Sequence, residues 1–211
     1  MWKLTYVFVK IVLVVNKGGR KMIGYLLGIL GFLLLFVFDF LSMNYKRKSK
    51  YLFMVLGVVS LIVGTILIIR RDTSFILPSS IRIFFGVMTI PFLLLLIYSV
   101  VIEVGKNTYQ YNNTPKLITT GTYALSRHPG VLWLFGLYLS LSFTFAHTGL
   151  LVAAFLFTVV NTLYVYIQEK LIFIHIFDDY RMYQSQTPFI IPNSKSLKAF
   201  IYNKQMKEST K

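Results

Sequence analysis

The sequence predicts an all-α, multi-spanning membrane bundle of about five transmembrane helices, followed by a C-terminal helical segment bounded by prolines. Three observations predict it. Of 211 residues, 56% are hydrophobic and 14% charged, against roughly 45–50% and 25% in soluble domains, which leaves too little polar surface to cover a soluble core. The apolar residues fall in long runs, several near the about 20 residues that cross a bilayer. The charge, 22 Lys+Arg against 7 Asp+Glu for a net +15, sits in short clusters between those runs, as in loops that orient helices and meet anionic headgroups. That distribution sets nucleic-acid binding aside despite the basic balance. With no cysteine, neither a disulfide framework, a thiolate metal site nor a Cys nucleophile is available.

Residues 1–21 form an N-terminal extension in which Lys3 and Lys10 interrupt an apolar run ending at Val15, too short to span. The run from Lys17 to Lys21 just before Met22 reads as a translated purine-rich ribosome-binding site. The start is therefore open between Met1 and Met22. Residues 22–102 hold three spans: 23–41, apolar apart from Asp39; 51–69, after the basic loop Lys46, Arg47, Lys48 and Lys50; and 81–102, with Pro91 inside it. A mid-span proline frees a carbonyl and is tolerated where neighbours satisfy it. Gly57, Gly64 and Gly86 permit close helix approach.

Residues 103–192 carry the polar residues that matter. The stretch 103–120 is rich in Asn, Thr, Lys and Tyr and reads as a solvent-side loop. The fourth span, 131–145, and the fifth, 150–167, are joined by a short turn around His147, so they are expected to pair as an antiparallel hairpin. The chain should break near Asp178 and end in the segment Pro188–Pro192. The tail, 193–211, holds five lysines and one Glu and is expected to lie mobile against anionic lipid. The turn at His147 has no Lys or Arg, whereas the first loop, the third loop and the tail are basic. The positive-inside rule places those basic segments in the cytoplasm, with Arg70, Arg71 and Arg82 as exceptions.

Ionisable groups near spans need a reason to be there. Asp39 and Glu103 sit at span ends, where interfacial water is the plain explanation. His147 reads as a surface residue, His175 as an interfacial one, and Asn161 as interhelical glue. Three scattered histidines have no metal-ligand spacing, so no metal is expected. Arg127, His128 and Glu169 differ. Arg127-His128-Pro129 precedes the fourth span and Glu169 ends the fifth, so a hairpin brings all three to one depth. The plainer reading is that Arg127 snorkels to phosphates and Pro129 starts a helix.

Gly121-x-Tyr123-x-x-x-Arg127-His128-Pro129 resembles the first motif of the isoprenylcysteine carboxyl methyltransferases and their phospholipid methyltransferase relatives. Gln168-Glu169, Asp179-Tyr180, Tyr183, Pro188 and Pro192 follow in the register of the second motif. Gln168 stands where that family has a first glutamate, and Ile176-Phe177 replaces a Phe-Gly pair. The resemblance covers about 70 residues, 121–192. It implies an integral-membrane methyltransferase using S-adenosylmethionine as cofactor and acting on a lipophilic or small acceptor: a carboxylate, thiol or amine. It implies His128, Pro129 and Glu169 on the cofactor, with Tyr123 and Tyr180 as walls. Arg127 would orient an anionic acceptor, and Glu169 is the candidate base for an amine. A membrane reductase using NADPH, of the steroid-reductase type, and a non-catalytic scaffold or lipid-binding protein are the alternatives; Gln168 keeps the last open. The expected location is a bacterial cell membrane, with the site on the cytoplasmic face.

Overall fold

The structure, a computed structural model, describes the backbone of residues 2–44, 50–69, 75–104 and 117–209, with side chains for 19, 21–42, 50–69, 75–104 and 117–202. The basic loop at Lys46–Lys48, Arg70 and Arg71, and Lys106 and Lys116 lie outside the described residues. All regular structure among the described residues is helical. Helix α1 runs from Trp2 to Asn44, so the N-terminal extension and the first span are one continuous helix. Helix α2 covers Lys50–Ile69. Helix α3, Ser79–Ile97, passes through Pro91 and continues as a π turn over Tyr98–Glu103. A short α4 (Thr122–Leu125) precedes α5 (Pro129–Thr144) and α6 (Thr148–Gln168). Helix α6 widens into a π segment, Glu169–Phe173, and ends in the turn Ile174–Ile176. Helices α7 (Tyr180–Gln186) and α8 (Ser194–Ser209) follow.

Among the described residues, four segments are long and apolar enough to cross a membrane: Lys21–Ser42, Lys50–Ile69, Ser79–Glu103 and Thr148–Ile176. This is a membrane protein. The remaining expected span, α5, has 16 residues, about 24 Å at 1.5 Å per residue, short of the roughly 30 Å hydrocarbon core. Helices α1 and α2 are antiparallel and pack backbone to backbone. A Cβ at Gly24 would lie 2.8 Å from the Gly64 carbonyl, and one at Gly57 would lie 2.9 Å from that of Gly31. Without a hydrophobic drive in lipid, such close approach is what holds two helices together. Ser60 Oγ adds a hydrogen bond to the Leu27 carbonyl at 2.7 Å. Helix α6 runs alongside α1, where Phe157 meets Phe32 edge-on at 6.1 Å. The core gathers Phe32, Ile68, Leu134, Tyr138, Leu150 and Phe157. By contrast α3 buries no residue along its α-helical length, and its exposed Ile83, Phe84, Ile90 and Leu94 face where acyl chains belong.

The α5–α6 hairpin forms as expected, but its turn is not a surface feature. Pro129 occupies the first turn of α5, where its missing N–H is no loss. At the far end the Ala146 N–H donates to the Phe143 carbonyl at 3.2 Å and the His147 N–H to that of Ser142 at 2.8 Å. That pair of bonds is a Schellman motif, and Ala146 adopts φ 49 to make it, where glycine is usual. His147 then caps α6, its Nδ1 accepting the Leu150 N–H at 3.3 Å. Only 2% of His147 is exposed. The expectation of a surface histidine fails because the short turn tucks the ring over its own helix. The tail is corrected too. Asn193 Oδ1 accepts the Ser196 N–H at 2.9 Å and Ser196 Oγ accepts the Asn193 N–H at 3.0 Å, a reciprocal cap that starts α8. The break at Phe177, which is extended, and the non-helical segment 187–192 agree with the sequence reading.

Candidate functional site

His128 is kept out of the helix by Pro129, because the residue before a proline is pushed towards extended backbone. Ser126 is extended, and the free backbone groups find the C-terminal segment instead. Arg127 N–H donates to the Pro188 carbonyl at 2.9 Å and His128 N–H to that of Phe189 at 3.2 Å. Ser126 Oγ donates to the same Phe189 carbonyl at 3.0 Å. Residues 187–189 are thereby strapped across the start of α5.

On that frame Arg127 forks onto Glu169: Nε to Oε1 at 2.8 Å and Nη2 to Oε2 at 3.3 Å. Its Nη1 donates to the carbonyls of Gln184 and Thr187, at 3.0 and 2.8 Å, where α7 ends. His128 Nε2 meets Glu169 Oε1 at 2.8 Å, and Gln184 Nε2 donates to Oε2 at 3.0 Å. Glu169 therefore accepts four hydrogen bonds while nearly buried. It sits where α6 opens into its π segment, a local widening that often marks functional positions.

The electrostatics follow from this geometry. Burial pulls the His128 pKa below its usual 6.5, against the opposing pull of Glu169, so the ring is neutral at neutral pH. A carboxylate paired with Arg127 can only accept, so His128 Nε2 carries the proton and Nδ1 keeps its lone pair. His128 makes no side-chain cap to α5, which leaves Nδ1 uncommitted to its own helix. Phe173 stacks on the ring at 6.1 Å and 9°, and Phe189 meets it edge-on at 5.2 Å. From Phe173 the aromatic wall continues to Tyr180 at 5.4 Å and on to Tyr183 at 6.0 Å. Burial first, and neighbouring carboxylates or phenols after it, raise the Tyr123, Tyr180 and Tyr183 hydroxyls above their usual value, so all three stay protonated. Tyr180 is 2% exposed, and its hydroxyl lies against Glu169, whose carboxylate holds the phenol proton in place.

Two further polar clusters flank this one. Glu103, expected to be solvated at a span end, is 8% exposed. Its carboxylate accepts the Thr122 N–H at 3.1 Å and the Thr122 hydroxyl. Ser99 Oγ lies 3.0 Å from Thr122 Oγ1, to which its own hydroxyl can donate, and accepts from Trp133 Nε1 at 2.9 Å. Gly121 makes this possible. It has φ 65, and a Cβ there would run into Glu103 Oε1. Asp39, also expected to be solvated, accepts from the Tyr164 hydroxyl and from Gln168 Nε2 at 2.8 Å. Gln168 thus serves Asp39, one helical step round from Glu169. A glutamate at 168 would set two carboxylates against each other.

Of the residues singled out from sequence, Arg127, His128 and Glu169 come together within hydrogen-bond reach, and Tyr180 lies beside them. Tyr123 belongs to the Glu103 side and is linked through its carbonyl, which accepts the Tyr183 hydroxyl at 2.7 Å. Pro129 is buried at the helix start; His175 is exposed and apart. Asn161 is buried within α6. Sequence reasoning missed Gln184 and the carbonyls at 184 and 187. Their signal was faint: Gln184 lies one residue beyond Tyr183 of the second motif. Comparison with family models, with curated proteins and with solved structures finds no match to this chain.

Proposed function

We propose that this protein is an integral-membrane methyltransferase that uses S-adenosylmethionine and methylates a lipophilic or small acceptor, with its site at the inner ends of α5 and α6. The observation that carries the reading is the polar cluster itself, with the Tyr180 hydroxyl buried beside Glu169. The two sequence motifs meet at this same point, through Arg127, His128 and Glu169.

Tyr180 would hold the cofactor, with the ring face of His128, Phe173 and Tyr123 bounding it and Pro129 fixing where α5 begins. When bound, S-adenosylmethionine supplies an electrophilic methyl group. The chain's own residues contribute alignment and a proton acceptor. Arg127 engages Glu169 and two carbonyls through four of its five N–H groups. Its role is therefore to position Glu169 and the strap, rather than to bind an anionic acceptor. Glu169, saturated with donors, is a weak base. Neutral His128, oriented through Nε2 by Glu169, presents Nδ1 to a proton leaving a thiol or amine, the arrangement of a general base held by a carboxylate. Alignment of donor and acceptor supplies much of the remaining rate. The basic tail and loops favour the cytoplasmic face of a bacterial membrane for this site.

Calorimetry on the detergent-solubilised full chain tests the reading. Wild type should bind S-adenosylmethionine and not NADPH. Tyr180→Phe should bind about tenfold more weakly while the fold loses only about 1 kcal/mol, since Arg127, His128 and Gln184 still hold Glu169. Absence of heat with the methyl donor removes the proposal; heat with NADPH puts the reductase in its place.

A further inference from the structure

We propose a lipid-phosphate site at the opposite end of the bundle, in the cleft between α3 and α5, with the Arg82 guanidinium as its anchor. The occupant is the phosphate of a bilayer phospholipid, its acyl chain running down the apolar floor of the cleft. This site is independent of the methyltransferase reading.

The cleft has a volume of about 310 Å³ and is lined by Ser79, Arg82, Ile83, Gly86 and Thr144. It exists because two helices of unequal length end differently. The span that starts at Ser79 runs 25 residues to Glu103, whereas α5 stops at Thr144 after 16. The two are antiparallel: Gly130 lies 3.0 Å, by its would-be Cβ, from Val100 at one end, and Arg82 reaches Thr144 at the other.

Arg82 is half-buried, and its Nε donates to the Thr144 carbonyl at 3.0 Å. The plain account is that it neutralises the C-terminal end of α5. That account uses one of five N–H groups. The terminal nitrogens make no hydrogen bond among the described residues. A planar fork with two free ends matches two phosphate oxygens. The nearby Ser79 hydroxyl is exposed at the start of the span, at headgroup depth. The carboxylates of Asp39, Glu103 and Glu169 are all at the far end of the bundle, so no described acid competes for the cation.

The floor is apolar. Ile83 is exposed to the lipid side, and Gly86 faces Thr144 without a tight crossing. A Cβ at Gly86 would sit 3.6 Å from Thr144 Cγ2, an ordinary contact. Phosphate at the mouth and hydrocarbon beneath is the chemistry of a phospholipid, and a free phosphate satisfies only half of it.

Native mass spectrometry of the full chain released from uncharged detergent tests the site, with dioleoylphosphatidylglycerol as lipid and inorganic phosphate as competitor. Wild type should retain one lipid, and phosphate at the same concentration should not displace it. Arg82→Gln should weaken retention about tenfold or more, the loss of a charge-assisted fork. Because Arg82→Gln also strips a partner from the end of α5, Gly86→Leu provides the second variant. It fills the floor, leaves the Arg82–Thr144 bond in place, and should weaken retention to a similar extent with an unchanged unfolding temperature. Retention unaffected by Gly86→Leu or by Arg82→Gln overturns the proposal, as does equal competition by inorganic phosphate, which would mark an adventitious anion only.

Discussion

Two histidines in this chain stand at equivalent places, and they do opposite things. His128 and His147 each occupy the position just before an apolar helix, α5 and α6 respectively. Both are buried. His147 turns its Nδ1 onto its own helix and caps it through Leu150. His128 leaves its helix uncapped and reaches 41 residues along the chain, to Glu169. A histidine that completes local structure has its position explained by that structure. One that forgoes a cap worth about 1 kcal/mol to orient its ring on a distant carboxylate is explained by the site.

The comparison breaks hardest at Glu169. Glu169→Gln removes the negative charge that Arg127, His128 and Gln184 share, stranding a guanidinium that is 12% exposed. Removing one partner of a buried ion pair costs about 3–5 kcal/mol, so a large fall in unfolding temperature is expected in detergent, together with loss of S-adenosylmethionine binding. A variant as stable as wild type would mean that the cluster does not hold the strap 187–189 in place.

The two histidines should then separate by readout. His147→Ala is expected to cost about 1–2 kcal/mol, most of it recovered by His147→Asn, because Asn caps a helix well. Neither change should alter ligand binding. His128→Ala is expected to weaken S-adenosylmethionine binding about tenfold, through loss of the ring that bounds the cofactor and of its bond to Glu169, and His128→Asn should not restore it. Paired melting curves and calorimetry would settle it; equal ligand loss at His147 would erase the distinction.

The sequence already carried much of this, for reasons that differ by region. The spans were legible because hydrocarbon demands continuous apolar runs. The Arg127–His128–Glu169 cluster was legible because a short turn forces α5 and α6 into a hairpin that equalises their depth. His147 was misread because the bonds that bury it, a Schellman turn around Ala146, lie in backbone geometry that no residue type announces; a glycine at 146 would have been the usual signal. Glu103 was misread because its partner, Thr122, lies beyond a long polar stretch and depends on the positive φ of Gly121. Asp39 and Gln168 looked unrelated at a separation of 129 residues, although both lie at the same end of neighbouring spans. The tail read as mobile because its lysines hide a helix whose start is fixed by Asn193 and Ser196.

The smallest expected effect is the most specific to His128. Its pKa in the folded protein lies below 6.5, with burial as the first cause, so on acidification the unfolded chain takes up this proton before the folded one does. The stabilisation is complete above the unfolded value of 6.5 and is lost as pH falls through the lower, folded value. Within that window stability falls by at most about 1.4 kcal/mol per pH unit for one such group. Unfolding temperatures measured from about pH 8 down to about pH 5, across the range where an ordinary histidine titrates, should decline for wild type and decline less for His128→Asn. A steeper decline in the variant than in wild type would mean that His128 is protonated in the fold, with Nδ1 a donor, and would remove it as a base; parallel profiles would mean that the fold does not shift this group at all. A shallower slope in the variant would leave the neutral ring, with its free Nδ1 lone pair, as the group that takes the acceptor's proton.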